Sequence, residues 1–307
     1  MSLLKDALEA GKFGITAEMA PPKGYDFTEQ MEAAELLAGK VHGVNVTDMQ
    51  SASLKATGLG LCIKLKQAGV EPILQMTGRD RNRMALMGDA LAAASFGIDT
   101  MLALTGDHPV VGDCKDAKPV YDLDSVGILK MLSKMEETGC DCGGNEIAGG
   151  APKFYKGASV TPVYEPLFLQ INKLRQKVEA GAMYIQTQGI FDLDTFKRFM
   201  EEVDKAGIKT HIMAGIIPLK AAGMAKYMNE NVPGIDVPQD MIDRLAAAAA
   251  EGKEKGVKGL PMQLGIEMAA EMIAKIKDEK LCDGVHIMAI GAEKNVPTIL
   301  DKAGLSI

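Results

Sequence analysis

Short apolar runs alternate with longer amphipathic segments along nearly the whole chain. Eight of the runs are rich in apolar residues and are bounded by glycine or polar residues, as is typical of buried strands. The predicted strands cover residues 13–19, 43–47, 72–77, 100–105, 157–161, 183–187, 209–214 and 284–290. Between most of them apolar residues recur every three or four positions, which predicts helices such as 84–96, 167–180 and 194–206.

Four of the predicted helices end in a similar local phrase just ahead of a strand. Gly69, Gly97, Gly181 and Gly207 stand in QAGVEP, SFGIDT, EAGAMY and KAGIKT. Glycine is typical of this position because it adopts the left-handed conformation at little cost. Strands and helices alternating over about 300 residues predict an α/β fold, a (β/α)8 TIM barrel. A doubly wound sheet is the alternative, but Pro-Pro-Lys follows the first strand where a glycine-rich turn would be expected.

Two regions interrupt this alternation. Residues 107–150 form a long, glycine-rich insertion between strands 4 and 5, with a predicted helix near 125–137, and we expect it to lie over the catalytic face. Residues 232–280 carry two helix-like segments before strand 8, and five consecutive alanines there favour helix. Neither a Ser/Gly linker nor a shift of composition divides the chain. We therefore predict one domain over residues 1–307.

Composition narrows the possible functions. The formal net charge of −7 disfavours a nucleic-acid surface, and no apolar run approaches the roughly 20 residues that a membrane-spanning helix needs. The N-terminal segment lacks the apolar core and cleavage site of a signal peptide, so a cytoplasmic location is expected. The five cysteines are scattered, and Cys140-Asp141-Cys142 has one residue between its thiols where zinc pairs usually have two or more. We predict no metal site.

Glu18 is the first candidate for chemistry. The strand that carries it ends before Pro21 and Pro22, because proline lacks the N–H of a strand interior and constrains the residue before it. An ionisable group among apolar neighbours is costly unless it is paired or used.

The other predicted strand ends carry mostly hydroxyl and amide groups. They are Thr47, Asp48, Gln75, Thr77, Thr105, Asp107, His108, Thr161, Gln186, Thr187, Gln188 and Gly215. No serine or cysteine nucleophile stands beside a histidine among them, so the set favours binding of a large heterocyclic ligand over hydrolysis. For Thr47 and Asp48, capping of the following helix is an equal alternative.

Five phrases taken together resemble the methylenetetrahydrofolate reductase family of flavoprotein barrels. They are TAEMAPPK, LALTGDHP, IQTQGIFD, AGIIPL and GVHIMAI, in barrel order from about Gly11 to Leu305. The family carries Phe-Glu-x-x-Pro-Pro-Lys at its first strand, Arg-Gly-Asp after its fourth and Thr-Gln-Phe-Phe-Phe-Asp after its sixth. The resemblance implies a single flavin-binding barrel over residues 1–307. It also implies reduction of 5,10-methylenetetrahydrofolate to 5-methyltetrahydrofolate.

The resemblance assigns two catalytic residues and two substrate contacts. Glu18 would be the acid that protonates the N10 side of the folate and helps to open the methylene ring. Asp107 would stabilise the positive charge that develops on the folate, since an iminium cation is favoured by a nearby anion. Gln188 and Gly215 would contact the folate.

The same resemblance places the flavin against Thr47, Thr77, Gly106 and Lys177. Lys177 would contact the flavin phosphate, with a solvated helix residue as the alternative reading of that lysine. The cofactor would be FMN or FAD. Neither is preferred, because neighbouring positions that are charged in relatives are glutamines in this chain.

Several departures from the family pattern affect the electron-donor side. Gly189-Ile190 stand in place of Phe-Phe, residues 219–222 carry no aromatic ring, and Thr105 replaces an arginine. Each lost stacking ring weakens binding of a flat nicotinamide by about 1 kcal/mol. We therefore expect electrons to reach the flavin from an iron–sulfur, zinc-containing partner subunit, as in some anaerobic relatives, rather than directly from NAD(P)H. The alternative function is a pterin-binding barrel methyltransferase without flavin.

Overall fold

Eight parallel strands close into a barrel in the computed structural model of the protein, which describes residues 2–307. Each strand pairs with its neighbours in chain order, and β8 closes the barrel on β1. The strands are β1 (Gly14–Met19), β2 (Gly43–Val46), β3 (Pro72–Thr77), β4 (Thr100–Leu104), β5 (Tyr155–Val160), β6 (Tyr184–Gly189), β7 (His211–Ile216) and β8 (Gly284–Ile287). The predicted TIM barrel is confirmed.

Helices surround the barrel and connect its strands. They are α1 (Leu3–Glu9), α2 (Thr28–Leu37), α3 (Gly58–Gln67), α4 (Arg83–Ser95), α5 (Ser125–Thr138), α6 (Leu167–Glu179), α7 (Leu193–Lys205), α8 (Ala222–Asn231), α9 (Gln239–Lys255), α10 (Leu260–Asp278) and α11 (Val296–Lys302). The extra helices predicted before strand 8 are α9 and α10, which pack against each other. Within residues 2–307, no helix is long and apolar enough to cross a membrane.

The four predicted helix-ending glycines adopt the left-handed conformation. Gly69, Gly97, Gly181 and Gly207 follow α3, α4, α6 and α7, with φ angles of 77°, 70°, 107° and 66°. A side chain at these angles is strained, so the repeated glycine terminates each helix and turns the chain into the next strand.

Strand 8 is shorter than the sequence pattern predicts. It ends at Ile287, and the chain then turns at Ile290 and Gly291, whose φ angles are 48° and 72°. A positive φ removes both residues from extended geometry. The apolar run 284–290 is therefore only half strand, a distinction that apolarity alone does not make.

The segment between strands 4 and 5 is divided between the two ends of the barrel. The helix predicted as an insert is α5, the regular crossover helix between β4 and β5. It begins at the carboxyl end of the strands and ends at the amino end. Residues 105–124 therefore lie on the candidate catalytic face, as expected. The loop that carries Cys140 and Cys142 lies at the opposite end of the barrel. For this loop, the expectation of a position over the catalytic face was wrong.

The barrel interior is layered from apolar to polar. At the amino end, Leu4 and Leu8 of α1 pack under a cluster that includes Ile73, Tyr184 and Met213. Side chains two positions further along a strand face the same way. Gln75 and Gln186 thus lie one layer nearer the carboxyl end, followed by Gln188. The polar groups gather where barrel enzymes place their sites.

Candidate active site

Glu18 is the second-to-last residue of β1, and its side chain lies inside the barrel near the carboxyl ends of the strands. Its neighbours along the strand are fully buried, and Glu18 itself is 9% exposed. Its Oε2 atom accepts a long hydrogen bond of 3.4 Å from Nε2 of Gln75 and lies 3.7 Å from Nε2 of His286. Both distances exceed those of a tight hydrogen bond. The carboxyl group is therefore loosely held and faces open space.

A buried network of polar side chains lies directly below Glu18. Thr16 Oγ1 is 3.0 Å from Nδ1 of His286 and accepts a 3.3 Å bond from Nε2 of Gln186. Nδ2 of Asn45 donates to Oε1 of Gln186 at 2.5 Å and lies 3.2 Å from Nε2 of His286. All four residues are at most 3% exposed. Buried amides and an imidazole at this level are costly unless paired, and here they pair across four strands.

A cavity of about 530 Å³ opens at the carboxyl ends of the strands next to this network. The volume is in the range of small-molecule sites. Five of the eight residues predicted from the sequence line it: Glu18, Gly106, Asp107, Lys177 and Gln188. None of the described residues that line this cavity is Phe, Tyr or Trp. A second cavity of about 460 Å³ lies against the loop after β1, and Glu18 lines both.

Lys177 gives the cavity a cationic side. Its Nζ donates to the Ser159 carbonyl oxygen at 2.6 Å, and Lys173, one helical turn earlier on α6, lines the same cavity. Burial, together with the charge of Lys173, lowers the pKa of Lys177 to about 8. A buried ammonium group gains by meeting an anion, so this wall suits a phosphate.

Asp107 lies at the exposed rim. Its backbone oxygen accepts a 3.3 Å bond from Nη1 of the buried Arg79. Its carboxylate has no hydrogen bond or ion pair to any residue from 2 to 307. Gly106 before it has a φ of 90°, and a Cβ there would lie 2.3 Å from Cγ2 of Thr77. This turn therefore requires glycine and leaves the carboxylate free to meet a ligand.

The other three predicted residues do not line the cavity. Thr47 is 2% exposed, and its Oγ1 is among the buried side-chain atoms of the described residues that have no partner. Thr77 donates its backbone N–H to Asp48. Gly215 donates its N–H to Oγ1 of Thr187 at 2.9 Å, and a Cβ there would meet backbone oxygens.

Asp48 is held by charge rather than by a helix cap. Burial raises the pKa of its carboxyl, and the Arg81 guanidinium, which forms an ion pair with it, opposes that rise. Arg81 also binds Asp89 of α4 at 2.7 Å. The pairing fixes the loop after β3 against β2, where the predicted flavin contacts Thr47 and Thr77 lie.

Sequence reasoning missed Asn45 and His286 as members of the site. Both are single polar residues inside apolar strand runs, as in Val44-Asn45-Val46 and Val285-His286-Ile287. The same signal drew attention to Glu18, and it would have found these two residues had it been applied to every strand. Among residues 2–307, no three His, Cys, Asp or Glu side chains form a group that could hold a metal ion.

The closed parallel barrel, with a loosely held acid and a polar cavity at the carboxyl ends of its strands, defines a TIM-barrel protein with an enzyme-type site. The family model described as methylenetetrahydrofolate reductase matches residues 3–304. The chain therefore belongs to the methylenetetrahydrofolate reductase family, which confirms the family expected from its motifs.

Relatives with this name come from several kingdoms. A probable methylenetetrahydrofolate reductase (NADPH) of Caenorhabditis elegans is 25% identical over 83% of this chain and 34% of its own length. The 5,10-methylenetetrahydrofolate reductase of Pectobacterium carotovorum is 26% identical over 68% of this chain and 65% of its own length. The chain thus spans about a third of the first relative and two thirds of the second.

One solved structure shares the fold over the full length of both chains. It is described as an uncharacterized protein from Clostridium thermocellum that binds two copies of 5-methyl-5,6,7,8-tetrahydrofolic acid. The TM-score is 0.66, with 15% identity over 99% of this chain and 100% of that chain. At this identity the likeness shows the fold.

Proposed function

We propose that residues 1–307 act as one flavin-binding barrel that reduces 5,10-methylenetetrahydrofolate to 5-methyltetrahydrofolate. The family match over residues 3–304 supports this function. The observation that carries it is Glu18, an acid in an apolar strand that lines two cavities, of about 530 and 460 Å³. A fold relative described as binding a methylated folate adds support for a folate in this site.

The reaction needs an acid and an anion, and the site offers both. Glu18 donates a proton to N10 of the folate as the bond between N10 and the methylene carbon breaks, which leaves a cationic iminium group at N5. Asp107 then stabilises that cation with its unpaired carboxylate. A reduced flavin, when bound, would supply the hydride that converts the methylene group to methyl. Gln188, half-buried on the cavity wall, has amide groups suited to the pterin ring.

The residues present fit a flavin. Lys177 and Lys173 would hold its phosphate, and the unpartnered Oγ1 of Thr47 offers a hydrogen bond at the β2 end. The turn at Gly106 would bring backbone against the ring system. FMN and FAD both carry a phosphate at the ribityl end, so extraction and chromatography of the bound cofactor would distinguish them.

We further propose that electrons come from a partner, an iron–sulfur, zinc-containing subunit in a hetero-oligomer. The described residues of the cavity lining offer no Phe, Tyr or Trp ring on which a nicotinamide could stack. Leu219, in the loop that would carry such a ring, is 3% exposed and packs into the cluster under α8 and α9. NADPH and NADH appear in the names of the relatives from Caenorhabditis elegans and rice. This chain covers only 34% and 50% of those proteins, so their donors are not carried over to it.

Glu18→Gln tests the proposed function. We expect reoxidation of the reduced flavin by 5,10-methylenetetrahydrofolate to slow by about 10²- to 10⁴-fold, because the amide keeps the shape but donates no acidic proton. Flavin content and reduction by dithionite should not change. Glu35→Gln, on the exposed face of α2, is the matched control. If Glu18→Gln turns folate over at the native rate, the acid has been assigned wrongly.

Flavin absorbance distinguishes the proposed reductase from the methyltransferase alternative. A methyltransferase of this fold would purify without flavin absorbance and would transfer the methyl group of 5-methyltetrahydrofolate to a cobalamin partner. A yellow protein whose flavin is reoxidised by methylenetetrahydrofolate excludes it. The cytoplasmic location stays a prediction.

A further inference from the structure

His286 is a buried titratable side chain to which the proposed chemistry gives no role. It lies on β8, in register with Thr16 of β1 and Gly215 of β7, and is 3% exposed. Three side chains come within 4 Å of its ring nitrogens: Thr16, Asn45 and Glu18. Glu18 is the only one of the three that can carry charge. The ring therefore connects the catalytic acid to a neutral network.

The hydrogen bonds in this network are consistent with a neutral ring. Nδ2 of Asn45 donates to Oε1 of Gln186 and lies 3.3 Å from Nδ1 and 3.2 Å from Nε2 of His286, so it contacts the face of the ring and neither lone pair. If the ring donates its Nδ1 proton to Thr16 Oγ1, a neutral ring keeps Nε2 as an acceptor. A protonated Glu18 can donate to Nε2 in this state. Oδ1 of Asn45, however, is buried without a partner, and such an atom is costly.

A second arrangement fits the same positions of the non-hydrogen atoms. If both amides turn by 180°, the oxygen of Asn45 accepts from the amide of Gln186 and lies over the face of the His286 ring. The oxygen of Gln186 then accepts from the Thr16 hydroxyl, which in turn accepts from Nδ1–H. A cationic ring in this arrangement presents Nε2–H to the Glu18 carboxylate. The oxygen of Asn45 has gained a partner.

We propose that His286 is a positioning residue for Glu18 and that the two side chains share one proton, held in place by the Thr16–Asn45–Gln186 network. This rests on the proposed function. Before reaction the Nε2–H bond breaks as the Glu18 O–H bond forms. That O–H bond then breaks as N10–H of the folate forms and the N10–methylene bond opens. A proton from bulk solvent, relayed by water in the cavity, then restores the Nε2–H bond and the Glu18 carboxylate.

The first test reads the proton directly and needs neither flavin nor folate. The chain has four histidines, so labelling them with ¹⁵N gives a simple NMR spectrum, and His286→Gln assigns the missing signal. We expect the ¹⁵N shifts of His286 to move toward the neutral ring when Glu18 is replaced by Gln. The signals of His42, His108 and His211 should stay. Unchanged His286 shifts in Glu18→Gln would overturn the shared proton.

The second test measures the step that uses the proton. His286→Gln keeps a donor near Glu18 but holds no exchangeable charge. We expect it to slow flavin reoxidation by methylenetetrahydrofolate at least about tenfold, with KM for the folate and reduction by dithionite unchanged. His211→Gln is the matched control, because His211 pairs with Asp283 at 3.5 Å at the start of β7. Equal rates in the two variants would overturn the role of His286 in turnover.

The two tests separate the proposals. Coupled ¹⁵N shifts in a chain that does not reduce folate would leave the Glu18–His286 pair standing and overturn the proposed function. A chain that reduces the folate but shows unchanged His286 shifts in Glu18→Gln would leave the proposed function standing and overturn the Glu18–His286 pair. Thr16→Val removes the contact to Nδ1 with little change in volume, and we expect its reoxidation rate to lie between the rates of native protein and His286→Gln.

Discussion

At the scale of single residues, burial lowers the pKa of Lys177, which would make the proposed phosphate contact depend on pH. Its pKa is lowered to about 8, so the ammonium is present below that pH and is lost above it. A flavin phosphate keeps its double charge across this range, since its second pKa is about 6. We expect the Kd for FMN to rise about tenfold between pH 7 and pH 9.5 as the charge-assisted contact is lost.

Lys177→Met should remove this pH step. The variant should bind FMN more weakly at pH 7 and show little further change up to pH 9.5, measured by quenching of flavin fluorescence. Lys130→Met, on the exposed face of α5, is the control and should keep the native profile. A native profile in Lys177→Met would show that the phosphate lies elsewhere.

Single residues also show where prediction from the sequence stops. Glu18 was found because prolines end its strand beside a lone carboxyl group. His286 carries the same kind of signal, but the role proposed for it depends on Thr16 and Asn45, which are 270 and 241 positions away in the chain. Such contacts are created by barrel closure and by the register of β1 against β8 and β2. A local pattern cannot supply them.

At the scale of elements, strands β5 and β6 fit together because Gly157 has no side chain. The ring of Tyr184 lies where a Cβ would be, 2.2 Å from its Cζ atom. The ring is fixed, because it stacks on Tyr155 at 5.0 Å and donates to the Met101 carbonyl oxygen at 3.1 Å. Gly157→Ala should therefore lower the free energy of unfolding by about 1–3 kcal/mol, measured by urea denaturation.

Gly88 provides the opposite case within the same fold. It lies in the middle of α4, and a Cβ added there would have no atom of the described residues within 4 Å beyond its own helix backbone and chain neighbours. Gly88→Ala should raise the free energy of unfolding by about 0.5–1 kcal/mol, because alanine loses less backbone freedom on folding. If both alanine variants shift stability in the same direction, the packing of Tyr184 against Gly157 is not the cause.

Elements were predicted well where the chain marks their ends. The glycines after α3, α4, α6 and α7 marked the ends of these helices and located the starts of the following strands to within two residues. The predicted end of β8 was wrong, because Ile290 adopts a positive φ that cannot be inferred from an apolar residue type. The predicted location of residues 107–150 was partly wrong for a topological reason. The crossover helix α5 takes the chain from one end of the barrel to the other, so the residues after it lie at the opposite end from the site.

At the scale of the whole molecule, the catalytic face exposes apolar side chains beside the site. Leu54, Val110 and Val111 are 58%, 57% and 65% exposed. The loops that carry them are joined, because the Leu54 N–H donates to Asp113 at 2.9 Å and Gly112 packs against Ala52. Exposed apolar side chains beside the proposed flavin site are compatible with docking of a protein donor.

If a partner protein delivers the electrons, the rate of flavin reduction should differ strongly between small chemical reductants and the nicotinamides. The flavin-loaded chain alone should be reduced quickly by dithionite or reduced methyl viologen, which need no binding pocket. Reduction by NADH or NADPH should be at least about a hundredfold slower, because the missing stacking contacts, about 1 kcal/mol each, and the lost orientation both lower the rate. Stopped-flow absorbance of the flavin measures both. Rapid reduction by either nicotinamide, with no other protein present, would place the donor site on this chain and remove the need for a partner.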